Sequence, residues 1–200
     1  IIMEYIKLFE DWDDEDDDDD IDIEDFNFMS YSEMNPTELK YHKYLEGRGY
    51  YDISANYYPK KMKDAIYDYM TNSTSINREL RSGKTNEQSK LIDEAFELPM
   101  SKFLHDETLY RLVSDFGVNF KVGDYFSDKA YISTSISKEY SSGSKSGQLN
   151  FIINVKKGQP CILISSRNMH DSEFEFLLPR NSKFMIKKIE SQTIEMDYLG

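Results

Sequence analysis

Cysteine and histidine are scarce in this sequence, and their scarcity excludes two classes of site. The chain of 200 residues has one cysteine, Cys161, so an intrachain disulfide cannot form. A thiolate metal centre needs several cysteines, and the three histidines, His42, His105 and His170, lack the spacing of a zinc motif. The sequence therefore predicts a protein without a metal cofactor.

Long apolar segments are also missing. No run approaches the roughly 18 residues that a membrane helix requires, and the start at Ile1 has neither the basic residues nor the apolar stretch of a signal peptide. We therefore expect no membrane segment in this chain. Aromatic residues, by contrast, make up 14% of the sequence, which is enough for a packed core. The length suits one domain with a tail.

Positive charge is nearly absent from the first 25 residues, which hold 14 Asp or Glu and the single Lys7. This segment carries the whole net charge of −13, because the other 175 residues contain 23 acidic and 23 basic side chains. No basic stripe suited to a phosphate backbone is visible, so nucleic acid is not an expected partner. We interpret residues 1–30 as an acidic leader or linker. A docking tail, a nucleic-acid mimic and a calcium-loading segment are alternatives, although repeated Asp lacks the glycine and spaced ligands of an EF-hand loop.

The rest of the chain, residues 31–200, changes from helical to strand patterns near residue 107. Helices are predicted from Pro36, over 60–70, over 76–81 after an N-cap at Ser75, and over 86–96. Strands follow at 108–113, 125–127, 130–135, 149–155, 160–164, 175–178, 183–189 and 193–198. Helices first and strands second favour an α+β fold with a mostly antiparallel sheet system.

Three motifs lie on or beside these strands, in chain order. They are Leu-Tyr-Arg at 109–111, Tyr-Ile-Ser-Thr-Ser at 131–135 and Glu-Phe-Glu at 173–175, the last followed by Phe-Leu-Leu-Pro-Arg. Each alone is ordinary, since a strand arginine is usually a surface or ion-paired residue. In an extended strand, Glu173 and Glu175 would share one face because side chains alternate. The apolar residues after them indicate a buried strand, so the presence of two carboxylates at its start requires an explanation.

Together the motifs resemble the arginine–serine–glutamate class of mono-ADP-ribosyltransferases, especially the catalytic domains of clostridial binary toxins and vegetative insecticidal proteins. The similarity covers about residues 36–200 and includes the helical segment at 65–81 and the closing hairpin at 175–186. The resemblance implies N-terminal helices packed on a two-sheet, mostly antiparallel β core. It also implies that NAD is the substrate and that nicotinamide leaves through an oxocarbenium-like transition state.

The resemblance also implies roles for the motif residues. Glu175 would be the catalytic carboxylate, which holds the ribose 2′-hydroxyl and stabilises the cation. Ser133 would fix the Glu175 side chain by a hydrogen bond, while Thr134 and Ser135 would support the strand. Glu173 would bind and orient an arginine acceptor.

Nucleotide and target contacts are implied in the same way. Arg111 would clamp an NAD phosphate with its fork of donors, and backbone groups of Leu112 would meet the nicotinamide amide. Further NAD-binding candidates are Tyr140, Asn77, Tyr67 and Tyr69, although packing against the sheet is an equal alternative for Tyr67 and Tyr69. In the loop 165–172, Arg167, Met169 and His170 are candidates for target recognition, and solvent-facing positions are the alternative.

The function implied by the resemblance is ADP-ribosylation of arginine on a host protein. Actin is a frequent target in this class, and bacteriophage members modify host polymerase or ribosomal proteins. The implied localisation is a secreted or injected effector that acts in the cytoplasm of a target cell. An NAD glycohydrolase and a catalytically silent binding module of the same fold are the alternatives. The four residues Arg111, Ser133, Glu173 and Glu175 are all present, which argues against the silent module.

Overall fold

The computed structural model describes residues 36–50, 57–114, 117–138, 147–164 and 174–200. Within these ranges the order is three helices and then eight strands. The helices are α1 (Pro36–Gly47), α2 (Lys60–Arg81) and α3 (Glu87–Phe96). The strands are β1 (Glu107–Ser114), β2 (Tyr125–Ser127), β3 (Ile132–Ser135), β4 (Gln148–Val155), β5 (Ile162–Ile164), β6 (Glu175–Leu178), β7 (Lys183–Glu190) and β8 (Thr193–Tyr198). The predicted change from helices to strands near residue 107 is confirmed.

The second helix differs from its prediction, which placed two helices on either side of a polar break. The break is reduced to a kink at Asn72, the one residue inside α2 with non-helical angles, φ −122° and ψ 24°. Local hydrogen bonds occupy this point: the Thr71 hydroxyl donates to the Asp68 carbonyl at 2.9 Å, and the Asn72 amide donates to the Thr71 hydroxyl at 3.2 Å. The helix continues because its apolar residues on both sides of the kink pack into one cluster.

The sheet places the motif strands side by side. Its order is β2-β7-β8-β4-β1-β3-β6-β5, and every neighbouring pair is antiparallel except β4 with β8. The expected two-sheet core is therefore a single sheet in the described residues. Its two halves meet through one register pair, Tyr110 with Ser135. Strands from both ends of this order, such as β2 and β5, contribute to one buried cluster, so the sheet curves around its core.

Two apolar clusters form the core. The inner cluster lies inside the curved sheet and includes Leu109, Phe126, Phe151, Phe176 and Phe184. The helical cluster joins α2 and α3 to the outer face of β5 and β6, and it includes Ile66, Tyr69, Ile76, Leu80, Ile92, Phe96, Tyr131, Ile162 and Leu177. Burial of these side chains supplies the main driving force for folding, at about 25 cal/mol per Å² of apolar surface. The helices thereby cover the sheet next to β6, where the third motif lies.

Two ion pairs fasten the helices to the sheet. Asp93 on α3 accepts from the Arg180 Nε at 2.8 and 2.9 Å, and it also accepts the Tyr131 hydroxyl at 2.8 Å. Burial and the neighbouring Asp93 carboxylate raise the pKa of Tyr131 above its ordinary value. At the end of α2, Arg81 donates in bidentate fashion to Asp128, at 3.1 and 2.8 Å. Asp128 is 1% exposed and also accepts the Ala130 amide at 2.9 Å.

We predict that Arg81→Ala lowers the free energy of unfolding by about 3–5 kcal/mol, because it leaves the buried Asp128 carboxylate without its cation. Lys60→Ala is the matched control, since its partner Asp64 lies 3.1 Å away in a pair whose lysine is 82% exposed. That control should cost less than about 1 kcal/mol. Urea unfolding measures both variants, and equal losses would contradict the structural role of the Arg81–Asp128 pair.

Candidate active site

The three motifs meet on neighbouring strands of the sheet. In the register, Tyr110 on β1 pairs with Ser135 on β3, and Ser135 pairs with Glu175 on β6. Directly paired residues in antiparallel strands point to the same face. Tyr110, Ser135 and Glu175 therefore form a row across three strands, although 65 residues separate the first from the last. Long-range pairing, and not proximity in the chain, assembles this site.

Glu175 is the first residue of β6 and is half-buried, while the three residues after it are buried. Ser133 lies two residues before Ser135 on β3, so it stands on the same face as Glu175. Such diagonal neighbours are about 7–8 Å apart between Cα atoms, within the reach of a glutamate side chain. The register thus puts a half-exposed carboxylate and a half-exposed serine hydroxyl on one face. A Ser133–Glu175 hydrogen bond stays a prediction.

Thr134 and the Ser135 hydroxyl are engaged within the fold. Thr134 stands on the opposite face, 3% exposed, and its hydroxyl donates to the Phe176 carbonyl of β6 at 2.6 Å. The Ser135 hydroxyl accepts the Ser137 backbone amide at 2.9 Å. Both contacts hold β3 and its neighbouring turn in place. A strand-supporting role for Thr134 and Ser135 stays a prediction.

Arg111 lies beside the row, but its side chain is on the other face of β1, because it directly follows Tyr110. Its Nη1 donates to the backbone carbonyl of Ser133 at 2.5 Å, between strands that share one register pair. The guanidinium therefore links β1 to β3 close to the one residue pair through which these two strands are joined. Leu112 is half-exposed and returns to the face of Tyr110. Phosphate binding by Arg111 and amide recognition by Leu112 stay predictions.

The α2 candidates lie against the same half of the sheet. Tyr69 is 2% exposed, and its ring packs edge-on to Tyr131 at 5.4 Å between centroids. Asn77 is 3% exposed, and its side-chain amide donates to the Tyr69 hydroxyl at 2.9 Å. Tyr69 thus packs on the sheet, and nucleotide contact by this residue stays a prediction. Tyr67 is partly buried at the edge of the helical cluster. Nucleotide contact by Asn77 and Tyr67 stays a prediction.

Phe174 departs from the extended backbone that the sequence suggested for the third motif. Its φ is +44°, in the left-handed region that bulky residues rarely adopt. Side-chain alternation holds only for extended residues, so the argument that put Glu173 and Glu175 on one face does not carry across Phe174. Glu173 itself lies outside the described residues, as do Tyr140, Arg167, Met169 and His170.

A cavity of about 710 Å³ lies next to the row, between α1 and the outer face of β1, β4 and β8. Tyr41 and Tyr44 of α1 form one wall, and Tyr110 of the row belongs to the opposite wall. Sequence reasoning missed this cavity beside the row, because α1 precedes the first motif by more than 60 residues. In the sequence, this wall of the cavity is indicated only by two aromatic residues in a short helix.

The described residues contain no group of three or more His, Cys, Asp or Glu side chains that could hold a metal ion. Among the same residues, no helix combines the length and the apolar character needed to span a membrane.

Comparison with known proteins gives one family and one fold. A family model described as ADP-ribosyltransferase exoenzyme matches residues 40–198. Curated protein sequences give no match. Among solved structures, Plx2a, an ADP-ribosyltransferase toxin from Paenibacillus larvae, is similar with a TM-score of 0.65 at 19% identity, covering 82% of this chain and 97% of that one.

Two clostridial structures extend this similarity. An ADP-ribosyltransferase from Clostridium botulinum has a TM-score of 0.61 at 18% identity, over 86% of this chain and 98% of that one. BECa, an ADP-ribosylating toxin of a binary enterotoxin of C. perfringens solved with NADH, has a TM-score of 0.60 at 14% identity, over 82% of this chain and 48% of that one. The predicted α+β fold of the ADP-ribosyltransferase type is confirmed.

Proposed function

The chain belongs to the ADP-ribosyltransferase exoenzyme family, and from that premise we propose that it transfers ADP-ribose from NAD to an arginine of a target protein. The observation that carries the proposal is the row Tyr110–Ser135–Glu175, with Ser133 on the same face and Arg111 beside it. These residues belong to the three sequence motifs described above, and strand pairing brings them together from three separate parts of the chain.

The proposed chemistry needs a negative charge beside a developing cation. Cleavage of the bond between nicotinamide and ribose gives an oxocarbenium-like transition state, as in glycoside hydrolysis. A half-buried carboxylate stabilises that state more strongly than one in bulk water, because the local dielectric is lower. Glu175 supplies this charge, and a hydroxyl on its own face, that of Ser133, would limit its rotamers. Nicotinamide departs with the electron pair of the broken bond, and the ribose carbon forms its new bond to the acceptor nitrogen, which releases a proton to solvent.

The choice of arginine as the acceptor is the more specific part of the proposal, and it rests on Glu173. Two residues span at most about 7 Å, so the Cα of Glu173 lies within that distance of the Cα of Glu175. A carboxylate there can bind a guanidinium in bidentate fashion and present its nitrogen to the ribose.

The similarity to toxins supports a secreted or injected effector that acts in the target-cell cytoplasm, with actin among the candidate targets. The binary-toxin neighbour solved with NADH supports a nicotinamide dinucleotide as the substrate.

The test incubates the protein with adenylate-labelled NAD, with and without lysate of candidate host cells. Label on a discrete protein band is expected, and mass spectrometry of that band should find ADP-ribose on arginine. Nicotinamide release without protein label would instead indicate an NAD glycohydrolase. Modification of another residue type would overturn the arginine assignment alone. Neither label nor nicotinamide release would favour a silent binding module.

We predict that Arg111→Lys weakens NAD binding at least tenfold, about 1.4 kcal/mol, because lysine keeps the charge but loses the planar fork of donors. Calorimetric titration with NAD gives the affinity, and the thermal midpoint gives the fold. An unchanged affinity would contradict the phosphate clamp. A collapse of the thermal midpoint would show that the contact with the Ser133 carbonyl is the main role of this arginine.

A further inference from the structure

The residue directly before Glu175 has an unfavourable backbone conformation. Phe174 has a φ of +44°, where a side chain with a Cβ meets steric resistance that glycine does not. Residues held in this region persist only where their surroundings fix them, and they cluster at functional sites. β6 begins with the next residue, so this conformation sets the direction in which Glu175 enters the strand.

The surroundings of Phe174 supply that restraint. Its side chain is 5% exposed and belongs to the inner cluster. The Tyr41 ring of α1 packs on it, with centroids 5.4 Å apart and ring planes tilted by 40°. Its carbonyl accepts the backbone amide of Ile136, one residue past Ser135, at 3.3 Å. The ring and the carbonyl are thus held from two sides, by a helix and by the strand that pairs with Glu175.

Tyr41 is itself held in place, because α1 and the turn after it are fastened to the start of β1. The buried carboxylate of Glu107 accepts the Tyr44 hydroxyl at 2.9 Å, the Arg48 Nε at 2.9 Å and the Tyr50 hydroxyl at 3.2 Å. Tyr50 also packs edge-on to Phe176, two residues beyond Phe174, at 5.2 Å between centroids. The first helix is therefore a rigid support behind the Phe174 ring.

We propose that Tyr41 and Phe174 are positioning residues for Glu175: the Tyr41 ring holds the Phe174 ring in the core, and this contact maintains the left-handed turn from which Glu175 faces the serine side of the site. The inference rests on the proposed function, because it presumes that Glu175 acts on NAD. Loss of the ring contact lets Phe174 relax toward an extended conformation and moves the carboxylate. A displacement of about 1 Å can cost about 10²-fold in rate.

The first test measures nicotinamide release and NAD affinity separately. Tyr41→Ala should lower kcat at least about tenfold while the NAD dissociation constant stays within about threefold, because Tyr41 acts on the carboxylate and not on the nucleotide. Tyr41→Phe keeps the ring and should retain most of the rate. Phe103→Leu is the control, since Phe103 packs on Phe176 at 5.1 Å and the substitution reduces the same core at another side chain. It should lower the thermal midpoint and leave kcat of the folded protein unchanged.

Two further variants separate positioning from stability. Phe174→Gly removes the steric resistance to the left-handed turn and also removes the ring, so we expect a loss of kcat like that of Tyr41→Ala. Retained kcat in this variant would overturn the role of the ring. In a double-mutant cycle, Tyr41→Ala should add little to the loss caused by Glu175→Gln, because both act through one carboxylate.

Additive losses in that cycle, or an unchanged kcat in Tyr41→Ala, would overturn the inference while the proposed function stands. A wild-type protein that releases no nicotinamide would overturn the proposed function and this inference with it. The wild type is therefore assayed beside every variant.

Discussion

Glu175→Gln is expected to lower both nicotinamide release and transfer to protein at least about 10³-fold, which corresponds to roughly 4 kcal/mol in the barrier. Glutamine keeps the size of the side chain and much of its hydrogen bonding, but it removes the negative charge that faces the cation. Every fate of NAD passes through the same transition state, so hydrolysis and transfer should fall together. Chromatographic measurement of nicotinamide and autoradiography of labelled protein give the two rates.

The control for this substitution is Glu94→Gln, which removes one carboxylate from an exposed position on α3. Its rates should stay within about twofold of the wild type, since a single solvated charge away from the site has little effect on the barrier. NAD affinity should change little in Glu175→Gln, because glutamine can still hydrogen-bond the ribose hydroxyl and the lost negative charge acts on the transition state. A loss of less than about tenfold in nicotinamide release would contradict the assignment of Glu175.

Much of the fold was predictable because its local signals agree with its long-range packing. The strands at 125–127, 175–178 and 193–198 have the predicted bounds, since short apolar and β-branched runs lie between turn residues. The third helix begins after Asn86, whose side chain accepts the Ser89 amide at 2.8 Å in a reciprocal capping box. Such caps depend on a few neighbouring residues, so they are recognisable in the sequence.

Other features depend on contacts that no local pattern contains. The polar run at 71–74 predicts a break between two helices, but the apolar stripe on both sides keeps α2 continuous with one kinked residue. The number of sheets depends on the single Tyr110–Ser135 pair, which joins residues 25 positions apart. The left-handed Phe174 is the clearest case, because a phenylalanine among Glu and Leu predicts extended strand. Its conformation follows from α1 and from Ile136, both distant in the chain.

In the candidate site, too, the residue types were predictable from the sequence and their geometry was not. The residue types at Arg111, Ser133 and Glu175 are visible in the sequence, because they stand in three motifs whose order resembles that of the family. Their geometry is not visible there, since the Arg111 contact with the Ser133 carbonyl bridges 22 positions and depends on strand pairing. The support from Tyr41 has no signal in the motifs at all.

Glu173→Gln is expected to separate the two fates of NAD. If Glu173 orients the guanidinium of an acceptor, transfer to arginine should fall about 10²-fold or more, because the neutral amide cannot form the charge-assisted pair. Slow hydrolysis should stay within about threefold, since water needs no such orientation. Agmatine is a suitable small acceptor because it carries the same guanidinium group. The wild type should form ADP-ribosyl-agmatine, and the variant should not.

The Glu173 and Glu175 variants are informative as a pair, because the two carboxylates are separated by one residue yet are assigned to different partners. Proximity alone would make both substitutions lower hydrolysis and transfer equally, and that result would contradict the division of roles. Agmatine transfer that survives in Glu173→Gln would contradict arginine orientation, while the NAD chemistry of Glu175 would stand. The left-handed backbone at Phe174 gives a physical reason to expect unequal effects, because the alternation that puts residues i and i+2 of a strand on one face does not hold across it. Without that alternation, a single peptide segment can present one charge to the ribose and another to the incoming acceptor.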